Sequence, residues 1–184
     1  MLTDPDHFIW PSEFACTIIT ENLLLPNYYN IKISLEPIDS NTNNINLGFK
    51  KIKYFIGNYL QNSIIVNQDL SIVKPLLTLE SNLVLLPVEP YDVFFASILF
   101  QKLYTITEKY FTINYLTLDS LIGDRVQYTV NHDTDIGVDL SGNFWWNMDS
   151  INTGTDDHTS WKDLNFTDTP KFSPTVVQGG LSAE

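Results

Sequence analysis

Between residues 30 and 118 the spacing of apolar side chains switches from two to about 3.6 and back, and this constrains the fold more than any other feature of the chain. Asn30 to Glu36 sets Ile31, Ile33 and Leu35 against Lys32 and Ser34, the alternation of a half-buried strand. From Leu47 to Asn62 the period is helical. Ile52, Phe55, Ile56, Tyr59 and Leu60 share one side, and Lys50, Lys51 and Lys53 are left over. Ser63 to Val66 and Leu83 to Val88 read as short strands, the second without polar alternation and so suited to burial on both faces. Glu89-Pro90 opens a helix over Tyr91 to Lys109. In it Phe95, Leu99, Leu103 and Ile106 form the apolar stripe, and Asp92, Gln101, Lys102 and Glu108 lie largely opposite. Phe111 to Leu118 is again strand-like, and Val126, Tyr128 and Val130 alternate with polar neighbours.

Strand, helix, strand, strand, helix, strand is the order of the split βαβ, ferredoxin-like arrangement. The expectation is therefore an α+β fold, an antiparallel sheet with helices on one face. Ahead of this span, Pro11 fits the first turn of a helix with Phe14, Ala15, Ile18, Ile19 and Asn22 on one stripe. Thr17 and the paired isoleucines also tolerate a strand. The expected organisation is one domain over residues 1–168, with a core at 30–132 and an acidic, aromatic-rich loop region at 133–168 packed on it. A tail or arm follows at 169–184.

Charge narrows the partners. The 184 residues hold 22 acidic and 10 basic side chains, a net charge of −12, and residues 111–184 alone account for −8. Nine of the ten bases are lysine; Arg125 is the one arginine. Phosphate and base edges are preferentially held by arginine, and the whole molecule's field repels polyanions, so nucleic acid and anionic membrane are excluded as expected partners. A basic protein surface, a cation or self-assembly fits better. The opening Met1 to Asp6 is acidic where an export signal is basic, and no apolar run approaches the ~18 residues of a membrane span. A cytoplasmic setting is expected, or a virion if the chain is phage-encoded. Cys16, in the apolar run Phe14 to Ile19, reads as a buried small hydrophobe.

Two constellations could carry chemistry. Phe144-Trp145-Trp146, with Trp161 further on, lies among Asp133, Asp135, Asp139, Asp156 and Asp157. On a strand, adjacent tryptophans point to opposite faces, so one exposed ring among carboxylates is expected to form a contact surface. The plainer alternative is that these rings anchor a polar segment to the core. The second constellation is His132, Asp133 and Asp135 with His158, whose imidazoles and carboxylates suit a divalent metal ion that could activate water for hydrolysis. Its spacing matches no established ligand motif, and solvated loop residues are the plainer account. No nucleophile elbow and no glycine-rich phosphate loop is present.

The leading functional expectation is a non-enzymatic binding module whose acidic, tryptophan-bearing C-terminal half docks a basic partner. An inhibitor or immunity-type protein, or a phage accessory or assembly protein, would work this way. A metal-dependent hydrolase using His132, Asp133, Asp135 and His158 is the first alternative. A structural subunit of an oligomer is the second.

Overall fold

The switching periods become nine regular elements in the computed structural model, which describes residues 8–79, 81–154 and 161. Strand β1 (Phe8–Ile19) pairs antiparallel with β2 (Leu24–Pro37) without a break in register. Helix α1 (Thr42–Phe55) continues through a wider π-type turn at Ile56–Leu60 into β3 (Ser63–Asn67). The four-residue α2 (Val73–Leu76) leads to β4 (Leu83–Leu86), then α3 (Asp92–Thr107), β5 (Phe111–Ser120) and β6 (Tyr128–Val130). No helix among the described residues is long and apolar enough to cross a membrane.

The α+β class holds, but the sheet is mixed rather than antiparallel throughout. Its order is β4-β3-β1-β2-β5-β6, with β1 parallel to β3 and β3 parallel to β4. The ferredoxin-like order is not found: β4, which it would place beside β2, is outermost, and β1, whose proline and apolar stripe also fit a helix, lies between β2 and β3. In β1 Phe14, Cys16 and Ile18 are buried at a period of two. Thr17, Ile18 and Ile19 are β-branched and lie where the strand is paired on both sides. Among the described residues β2 alone flanks the strand at Pro11, and a ring nitrogen without a proton is tolerated on the side away from it.

Helices α1 and α3 cover one face of the sheet over a single core that joins Phe14, Tyr29 and Ile33 to Ile52, Phe55, Phe95 and Leu99. α2 covers the other face, at the β3–β4 end, where Val73 and Leu76 pack on Ile19, Val66 and Leu83. Helices are thus not confined to one face. α1 begins five residues earlier than its apolar stripe suggests, because the Asn41 side chain accepts from the Asn43 N–H at 3.0 Å and caps it. Gly48 lets α1 approach β5: a β-carbon there would lie 2.8 Å from Tyr110 Cβ and closer to the Phe111 ring.

Candidate functional site

From Asn131 onward the chain folds as successive side-chain-capped turns. The Asn131 carboxamide oxygen accepts from the Asp133 N–H at 3.0 Å and the Thr134 hydroxyl at 2.9 Å. Asp135 accepts from the Gly137 N–H and Asp139 from the Ser141 N–H, each at 2.8 Å. These are the local bonds that make Asp and Asn favour turns over helix or strand. Asp133, Asp135 and Asp139 remain exposed. The Ser141 hydroxyl and N–H hold the Asp139 carboxyl below the usual range, so it stays charged.

Both tryptophans then turn inward. Trp145 and Trp146 lie in a 3-10 turn (Trp145–Asn147) and are 6% and 1% exposed, so neither ring faces solvent. The expectation of one outward ring rested on a strand, and a 3-10 turn does not alternate faces. Phe144 is the aromatic left at the surface, stacked on Trp146 at 4.5 Å between centroids. The indole N–H of Trp146 donates to the Leu140 carbonyl at 3.0 Å, and that of Trp145 to the Leu85 carbonyl at 2.8 Å.

The Trp145 bond belongs to a second structural task. β4 is the outer strand of the sheet, and its backbone groups would otherwise be unpaired. The Leu85 N–H donates to the Thr153 carbonyl at 2.8 Å, and the Thr153 hydroxyl donates to the Leu83 carbonyl. Ile151, Asn152 and Thr153 are buried by this contact. The segment that looked like surface loop thus seals a sheet edge.

Two lysines hold the segment from beneath. Lys102, fully buried in α3, donates to the carbonyls of Trp145 at 2.8 Å, Met148 at 2.9 Å and Ser150 at 2.7 Å. Its ammonium also lies 5.6 Å from the Trp145 ring and 5.8 Å from that of Phe55. Burial pushes its pKa down to about 7; Asp149 opposes the shift and Lys51 adds to it. The three carbonyls also favour the charged form. Lys51, in α1, donates to the Ile106 carbonyl at 3.0 Å and to Asp149 at 3.1 Å. Sequence reasoning placed Lys102 on the polar side of its helix and Lys51 among leftovers. A signal was present: Lys102 stands three residues after Leu99 and four before Ile106, inside the apolar stripe.

Of the proposed metal ligands, His132, Asp133 and Asp135 are among the described residues, and His158 is not. The His132 ring packs edge-on against Tyr104 at 4.6 Å and Phe100 at 5.0 Å. No group of three His, Cys, Asp or Glu side chains that could hold a metal ion occurs among the described residues. Asp156, Asp157 and His158, and the tail at 169–184, lie outside them. Trp161 is buried, its ring 4.9 Å from the Lys51 ammonium and 6.3 Å from Tyr54. Between α3 and the acidic turns lies a pocket of about 200 Å³ lined by Gln101, His132, Asp135, Ile136 and Val138.

A further polar cluster sits at the start of α3. Asp92 accepts from the Ser120 hydroxyl at 2.6 Å and the Tyr29 hydroxyl at 3.1 Å, and the Gly123 N–H donates to Ser120 at 2.9 Å. Burial, then the Asp92 charge, pushes the Cys16 thiol up to about 12, so it stays protonated and unreactive. This cluster ties β2, β5 and α3 together. Comparison of the sequence with protein-family models and with curated proteins finds no match.

Proposed function

We propose that the chain is a binding module that offers Asp133, Asp135 and Asp139 to a basic protein partner. The observation that carries this reading is the anchoring of the acidic segment: three consecutive turns expose their carboxylates, and the backbone just beyond is fixed by Lys102 and the buried Trp145–Trp146 pair. A surface already ordered before binding loses little entropy on docking. Exposed carboxylates also steer a basic partner toward it. Phe144 and the pocket beside His132 supply apolar contact next to the charges. Trp145, Trp146 and Trp161 act in this reading as anchors under the surface, not as contact residues. Inhibition of a basic toxin and assembly of a larger particle would each use such a face.

Affinity capture on the immobilised full chain tests it, with an Asp133→Asn, Asp135→Asn, Asp139→Asn triple variant alongside. The expected result is a strongly basic protein retained by the native chain and lost by the variant. An acidic protein, or one retained equally by both, overturns the reading.

A further inference from the structure

The pocket beside His132 joins a helix face to the run of capped turns. On the α3 side Ser97, Phe100 and Gln101 stand three and four residues apart and share one face. On the other side Ile136, Val138 and Leu140 line it and are half-buried, while Gly137 and Asp139 between them are exposed. Both sides are held in place. The Ser97 hydroxyl donates to the Val93 carbonyl at 3.0 Å. The Leu140 carbonyl accepts from the Trp146 indole at 3.0 Å and from the Asn147 carboxamide at 2.8 Å. The His132 ring, packed edge-on against Phe100 and Tyr104, also lines the pocket.

Asp135 gives the pocket its charge. It is the one carboxylate among the lining residues, and no lysine or arginine is among them. Its Oδ1 accepts from the Gly137 N–H at 2.8 Å, which orients the carboxylate, and its Oδ2 has no partner among the described residues. At about 200 Å³ the pocket is smaller than the roughly 300–1,000 Å³ that enclose a drug-sized ligand, and it suits one long side chain.

We infer that this pocket is the anchor point of the acidic face and takes a single arginine side chain of the basic partner, its guanidinium on Asp135 and its methylene stem across Ile136, Val138 and Leu140. The inference rests on the binding reading above and adds the residue type that the partner must present. Arginine suits the pocket better than lysine for two reasons. Its planar fork pairs a carboxylate through two N–H groups, and its flat face stacks on an aromatic ring such as that of His132. A lysine ammonium is a strongly hydrated point charge that does neither as well. The Gln101 carboxamide oxygen can accept a further guanidinium N–H. An arginine held in a pocket slows dissociation, whereas the exposed Asp133 and Asp139 act on encounter.

The test is a nuclear magnetic resonance titration of the isotope-labelled full chain with N-acetyl-arginine amide. N-acetyl-citrulline amide, uncharged and of nearly the same shape, and N-acetyl-lysine amide are the controls. The arginine probe is expected to shift the backbone amides of Gln101, Ile136 and Val138 saturably, with a Kd on the order of 1–10 mM. The citrulline probe should bind about tenfold or more weaker, with the lysine probe between them. Asp135→Asn should weaken the arginine probe by about tenfold while keeping the turn, since asparagine also accepts from the Gly137 N–H. An Asp133→Asn, Asp139→Asn double variant should bind the probe within about twofold of the native chain. On the captured partner, Val138→Phe fills the pocket without changing charge and should raise the dissociation rate by about tenfold or more, with the association rate unchanged. Its urea midpoint is the folding control. No saturable shift, equal binding of either control, or indifference to Asp135→Asn overturns the inference, and the binding reading stands if the triple variant still loses the partner. A partner retained equally by the triple variant overturns both, whatever the probe does.

Discussion

Lys102 is the residue on which the acidic segment depends. Lys102→Met should take this donor from all three carbonyls, of which that of Trp145 keeps the Met148 N–H at 3.3 Å, and cost about 2 kcal/mol or more in urea denaturation. The pH dependence has a definite sign. Below pH 7 both the folded and unfolded chains hold the Lys102 proton. Between about 7 and the ordinary 10.5 only the unfolded chain does, so this group makes folding more favourable as pH rises. The native-minus-variant stability difference should therefore grow from pH 7 to pH 9, by at most about 1.4 kcal/mol per pH unit. Urea midpoints at the two values measure it; a difference that shrinks with pH contradicts the assignment. Lys102 also shows the limit of helical periodicity: its spacing fits the apolar stripe, but a lysine is read as solvated unless its acceptors are known. Those acceptors lie 43 to 48 residues away in sequence.

At the scale of elements, β2, α1, α3 and β5 were legible from the spacing and composition of their own residues, whereas the four-residue α2 and the sheet order were not. Strand order depends on which edges meet, and the partners of β1 and β4 are set by contacts far along the chain. The seal on β4 was invisible for the same reason, since Asn152 and Thr153 have no strand-like alternation around them. Trp145→Phe replaces the buried indole with a smaller ring and deletes one bond to Leu85, so it should cost about 1–3 kcal/mol and speed hydrogen exchange at the Leu85 amide. In α1 and the π-type turn that follows it, glycine has two different meanings. Gly48→Ala drives a methyl group into Phe111 and Tyr110 and should destabilise by about 1–3 kcal/mol. Gly57→Ala meets nothing within 4 Å and should stabilise by up to about 1 kcal/mol. Thermal unfolding of the two variants separates packing from propensity; shifts of the same sign would contradict this account of the two glycines.

At the scale of the whole molecule, charge was legible as an amount and partly as a place. The excess over residues 111–184 includes Asp133, Asp135 and Asp139, which are exposed, while Asp156 and Asp157 lie outside the described residues. What composition hid was the division of labour between charge and aromatic side chains, with the carboxylates outside and the tryptophans beneath them. Truncating Trp146, 1% exposed, to alanine should cost about 3–5 kcal/mol and would disturb the surface indirectly, so the aspartates are the side chains whose removal isolates docking. The most direct test of a steered acidic surface is the association rate of the captured basic partner across salt concentration, for the native chain and the Asp133→Asn, Asp135→Asn, Asp139→Asn variant. The account predicts a native rate that falls by about tenfold or more between low and high salt, and a variant whose rate is lower and flatter. A native rate indifferent to salt, or equal slopes for the two proteins, would contradict it.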